Sequence, residues 1–146
     1  MKYEVVELNE KKVVGVSAVT SNSAPDMSAV IGGLWTKLYQ GGVSEKIKNR
    51  VNEYAIGLYS DYSGDNYMIT VGNEVSAVEN DGLAVKIIPA GRYAKFSVHG
   101  NMVTDVVKAW GEIWNMDLGR SFTADFEEYL NSDFENADID IYVSLK

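Results

Sequence analysis

The chain has 146 residues, enough for one domain with a real core and short for two. Hydrophobic residues make up 46% and aromatics 11%, which excludes an intrinsically disordered chain, and no apolar run is long enough for a membrane span. The 13 basic residues against 21 acidic ones give a net charge of −8, a poor match to nucleic acid or an anionic membrane surface, because phosphate binding draws on clustered Lys and Arg.

The first residues, Met1 to Val6, enter strand-like alternation directly and lack the basic and apolar regions of a signal peptide, so a cytoplasmic protein is expected. Val5–Leu8 and Val13–Val19 read as strands around a polar turn. Pro25 stops the second strand, and Asp26 is placed to cap a helix carrying Met27, Val30, Ile31, Leu34, Trp35 and Leu38 at helical spacing. Gly41-Gly42 ends it. Residues 43–54 are polar and suit a short helix or an ordered loop. Ala55–Tyr62 and Tyr67–Val75 form a hairpin around Ser63-Gly64-Asp65-Asn66. After the break at Glu79–Gly82 the order restarts: strands at Ala84–Ile88 and Tyr93–Val98, then a helix with Val103, Val106, Val107, Trp110 and Trp114. Strands at Ser121–Leu130 and Ile139–Leu145 close the chain.

Val5–Val19 aligns with Val85–His99 without gaps, and each segment leads to a Trp-bearing helix and two strands. The economical reading is one α+β domain, residues 1–146, made of a duplicated strand-helix-strand-strand unit (1–80 and 81–146). Each unit alone leaves a sheet face bare; two side by side can share one core with a cleft between them.

Absent cysteine excludes disulfides, Cys-ligated zinc, iron–sulfur clusters and thiol catalysis. The lone His99 leaves no partner for a His-based metal site or relay; an Asp/Glu-only cation site stays open, but no EF-hand pattern is present, and no metal or cofactor is expected. In the strand around Phe126, Glu127 and Tyr129 share one side while Phe126, Glu128 and Leu130 share the other. In the last strand, Ile139, Ile141 and Val143 oppose Asp140 and Tyr142. If Phe126 and Leu130 join the aliphatic side against the helices, Glu127, Tyr129 and Tyr142 point away together. A carboxylate among phenols there suits an apolar cation, through charge and ring attraction; a wet sheet face accounts for the same pattern. Tyr59 and Tyr67 add rings from the first half, or reflect ordinary β-propensity. Trp35 and Trp110 sit at matching helical positions, as core residues or as cavity walls donating Nε1–H.

Ile88-Pro89-Ala90-Gly91-Arg92-Tyr93-Ala94-Lys95-Phe96, His99-Gly100, the Trp110 helix, Phe126-Glu127-Glu128-Tyr129 and Asp138-Ile139-Asp140-Ile141-Tyr142-Val143 resemble the GyrI-like effector-binding family. In the first half, Gly57-Leu58-Tyr59 and Val71-Gly72-Asn73-Glu74-Val75 fit as well. The family includes ligand-sensing domains of AraC-type and MerR-type multidrug regulators and free-standing integron-cassette members. The resemblance implies an antiparallel sheet with a pseudo-two-fold, helices on one face and a central ligand cleft. It also implies a buried Glu ringed by aromatics that engages lipophilic cations; that Glu falls on Glu127, and the tyrosine of the last strand on Tyr142. From the residue pattern, Tyr59, Trp35, Trp110, Tyr129 and Tyr67 are the further candidate walls. A register slip of one gives the role to Glu128. The regulators carry a DNA-binding domain for which this chain has neither room nor charge, so regulation implies a separate DNA-binding partner. Some free-standing members look like hydrolases of cyclopropane-containing genotoxins, for which Glu127 and Glu74 are the candidate acids. The family's namesake adds gyrase sequestration as a third reading.

Overall fold

β-branched and aromatic residues in alternation dominate the chain, and strands dominate the fold. The computed structural model describes residues 1–79 and 82–146. In order it has β1 (Glu4–Leu8), β2 (Lys11–Ser21), α1 (Met27–Tyr39), α2 (Val43–Lys46), β3 (Arg50–Ser63) and β4 (Asn66–Val75). Then follow β5 (Ala84–Ile88), β6 (Gly91–Gly100), α3 (Thr104–Trp114), β7 (Ala124–Tyr129) and β8 (Ala137–Ser144).

The strands make one antiparallel sheet in the order β1-β6-β8-β7-β3-β4-β2-β5. Exchanging each strand with its counterpart in the other half (β1 with β5, β2 with β6, β3 with β7, β4 with β8) gives the same order read backwards. This is the mark of a pseudo-two-fold passing between β3 and β7. The expected repeat boundary at residues 80 and 81 lies outside the described residues.

Both helices with Trp cover the same face. α1 packs Leu34 and Leu38 on Val14, Ile69 and Val71, and α3 packs Val106, Ala109 and Ile113 on Phe96, Ile139 and Ile141. Asn101 secures the start of α3: its Oδ1 accepts from Val103 and Thr104 N–H, and Asp105 accepts from Asn101 N–H. Asp26 makes no such side-chain bond at α1.

The sheet curls into a half-barrel, so its other face is buried too. That face gathers Val13, Ile56, Leu58, Ile88, Tyr93, Phe126 and Tyr142 from both halves, with Val6 and Leu8 of the edge strand β1. This corrects the reading of strand faces. Phe126 pairs with Tyr142, and Glu127 pairs with Ile141. Glu127 and Tyr129 therefore face the helices, and Tyr142 faces the half-barrel interior. Apolar character did not discriminate between the faces, because curling buries both.

Candidate functional site

Glu127 sits on β7 beside the pseudo-two-fold, opposite Gly57 of β3 and Ile141 of β8. Its side chain enters the seam between α1 and α3 and is only 3% exposed. Three neutral groups donate to it. Trp110 Nε1–H reaches Oε2 at 2.6 Å, Tyr59 O–H reaches the same oxygen at 3.1 Å, and Tyr129 O–H reaches Oε1 at 2.7 Å.

Gly57 makes the approach possible. A Cβ there would lie 3.2 Å from Glu127 Oε1 and 3.3 Å from Trp35 Cζ2, so the bare backbone lets the indole of α1 lie over β3 against the carboxylate. Around this centre the rings meet edge to face: Trp35 with Tyr129 at 5.1 Å, Tyr59 with Trp110 at 5.7 Å, and Tyr59 with Tyr67 at 5.5 Å. Trp35, Trp110, Tyr59 and Tyr129 are half-buried, whereas the carboxylate they surround is buried.

Burial pushes the Glu127 carboxyl above the usual range, against the three hydrogen bonds that pull it down. Burial and the adjacent Glu127 charge hold the Tyr59 and Tyr129 phenols well above their ordinary value, so both remain donors at neutral pH. The lone pairs are thus satisfied, yet the partners are two phenols and an indole, none of which carries a positive charge. A desolvated carboxylate in an aromatic box gains most from an apolar cation, which supplies the missing charge and offers itself to ring faces.

Two expected members lie elsewhere. Tyr142 stacks on Phe126 at 4.5 Å inside the half-barrel, with Lys95 Nζ 5.9 Å from its ring centroid. Glu74 pairs with Val13 of β2, on that same interior face, and bonds Lys11 at 3.2 Å. It influences Glu128, whose carboxyl burial pushes up, rather than Glu127. The carboxylate pair that the hydrolase reading requires is therefore on opposite faces of the sheet. His99 bonds Asp138 at 2.7 Å on the exposed surface. Among the described residues, no cluster of three or more His, Asp or Glu is placed to hold a metal ion. No helix there is long and apolar enough to cross a membrane.

Asp125, which alternation puts on the Glu127 face but which was not among the expected site residues, is fully buried. Its Oδ2 takes Arg120 at 2.7 Å and Tyr62 O–H at 2.6 Å, while Ser144 N–H and hydroxyl serve Oδ1 at 2.8 and 3.1 Å. Tyr62 reaches this face through an irregularity in β3 between Ser60 and Ser63, where Asp61 takes a left-handed φ of 54°. The strict alternation 123, 125, 127, 129 was the available signal for Asp125; the bulge had none.

An antiparallel duplicated sheet with helices on one face is the fold of a GyrI-like effector-binding domain. The chain belongs to the family of integron-associated effector binding proteins, which matches residues 4–145. No curated protein matches it. Among solved structures, SAV2435 bound to tetraphenylphosphonium shares 18% identity over 100% of this chain and 94% of that one, with a TM-score of 0.85. The Vibrio cholerae integron cassette protein VCH_CASS2 shares 24% over 99% and 95%, TM-score 0.77. EcmrR in its complex with DNA shares 16% over 99% of this chain and 58% of that chain, TM-score 0.65. At these identities the likeness shows a common fold.

Proposed function

We propose that the chain is a small-molecule binding protein that takes apolar aromatic cations between α1 and α3, with Glu127 as the charge partner. The observation that carries this is a carboxylate 3% exposed whose three donors are all neutral aromatic groups drawn from both halves. Trp35, Trp110, Tyr59, Tyr129 and Tyr67 form the walls. Tetraphenylphosphonium, the cation named with the similar fold of SAV2435, is the natural probe. Its titration should quench tryptophan emission to saturation, since two of the chain's three Trp line the box. Glu127→Gln should lose at least tenfold in affinity, the order expected when one close unscreened charge is removed. Glu128→Gln, on the opposite face, should bind as wild type. Equal loss in both variants, or none in Glu127→Gln, refutes the assignment.

A further inference from the structure

Two carboxylates, not one, stand on the helix-facing side of β7. Asp125 and Glu127 are two residues apart, which on a strand means roughly 7 Å between backbone positions. Both are buried, at 0% and 3% exposure. Their partners differ in one respect: Glu127 has only neutral donors, whereas Asp125 holds the Arg120 guanidinium at 2.7 Å.

Arg120 is not a swinging surface charge. Its side chain is 14% exposed and its guanidinium carbon lies 4.3 Å from the centroid of the Phe122 ring. The segment that presents it is fixed by a bridge between Arg120 and Leu145 and by left-handed turns at Gly119 (φ 66°) and Phe122 (φ 54°). The two carboxylates also share one aromatic wall. Tyr62 donates to Asp125 and packs on Tyr67 at 6.2 Å; Tyr67 packs on Tyr59, and Tyr59 donates to Glu127. One continuous row of rings thus connects the two carboxylates.

We propose that Arg120 sets the charge class of the ligand: by neutralising Asp125 it leaves the site one uncompensated carboxylate, so the site selects monocations over dications. This rests on the cation-binding reading of Glu127 and names the ligand class of that site. Without Arg120 the face would present two negative charges at a spacing that a rigid aromatic dication spans. With it, the second charge of a dication meets a guanidinium that is already in place.

The test uses a matched pair of probes of nearly the same size and shape: para-phenyl-N-methylpyridinium, a monocation, and methyl viologen, a dication. Calorimetric titration of the wild type should favour the monocation by tenfold or more, the order set by one unit charge at this spacing. Arg120→Met should shift the ratio of the two affinities tenfold or more toward methyl viologen, and Arg120→Met/Asp125→Asn should return it to the wild-type value. An unchanged ratio in a folded Arg120→Met variant overturns the proposal. A merely structural role for Arg120 would weaken both probes alike and is likewise contrary. If Arg120→Met does not fold by circular dichroism, Asp125→Asn alone supplies the test. It leaves the guanidinium uncompensated and should weaken both probes, methyl viologen the more; equal or absent weakening overturns the proposal. If neither probe binds the wild type, or Glu127→Gln binds both as well as wild type does, the reading of Glu127 has failed and this inference falls with it.

Discussion

Replacing Trp110 by Phe removes one donor from the Glu127 carboxylate and the second ring of an indole that packs on the α3 core. The ring stays available for the edge-on contact with Tyr59, and Oε2 keeps the Tyr59 hydroxyl at 3.1 Å. At the carboxylate, the 2.6 Å bond from Nε1–H is lost. A hydrogen bond to a charged group contributes about 1.5–3 kcal/mol, so a loss of about 2 kcal/mol is expected at neutral pH. For a chain of this length that corresponds to a fall of about 4–8 °C in the melting midpoint. The pH dependence gives the sharper signature. Glu127 has a raised carboxyl in the folded state, so its contribution is fully present below the unfolded value of 4.5 and is lost as pH rises through the folded value. The Trp110 bond pulls that folded value down, so deleting it pushes the carboxyl up further and enlarges the loss on the alkaline side. Urea unfolding followed by far-ultraviolet circular dichroism should show the deficit at neutral pH and a much smaller one in acid, where Glu127 is protonated in both proteins. The same deficit at both pH values would refute the view that the indole holds a carboxylate.

Gly57→Ala places a Cβ 3.2 Å from Glu127 Oε1 and 3.3 Å from the Trp35 ring, and should cost about 1–3 kcal/mol, read as a lower thermal midpoint and weaker tetraphenylphosphonium binding. Asp125→Ala strands the half-buried Arg120 guanidinium and also removes partners of Tyr62 and Ser144; a loss of about 3–5 kcal/mol by urea unfolding is expected. Tyr142→Phe and Glu74→Gln, both on the half-barrel interior, should leave tetraphenylphosphonium affinity at the wild-type value in the quenching titration.

The duplication was legible because each half repeats its order of elements, and the palindromic strand order follows from it. Glu127 was legible as a residue but not as a location. Alternation put Glu127 with Tyr129 correctly, yet it could not say which face of β7 meets the helices, because Phe126 and Tyr142 are as apolar as Ile139 and Ile141 and the curled sheet buries both sets. Only cross-strand register decides that, and register is a property of two strands together. The Gly57 contact escaped for the same reason: a glycine in a strand signals a close approach without naming what approaches. The strand expected over 121–130 begins only at Ala124, since Phe122 takes a left-handed φ of 54° and stacks on the Arg120 guanidinium that holds Asp125. The bulge that turns Tyr62 toward Asp125 depends on a left-handed Asp61, a conformation that its sequence context permits but does not announce.

What remains to be measured is where a cation sits. A crystal structure of the complex with tetraphenylphosphonium tests it most directly. The phosphonium is expected against the Glu127 carboxylate between α1 and α3, with the Trp35 and Trp110 rings moved aside to admit it. A cation found on the other face of β7, beside Glu128 and Tyr142, or away from β7 altogether, would contradict this placement.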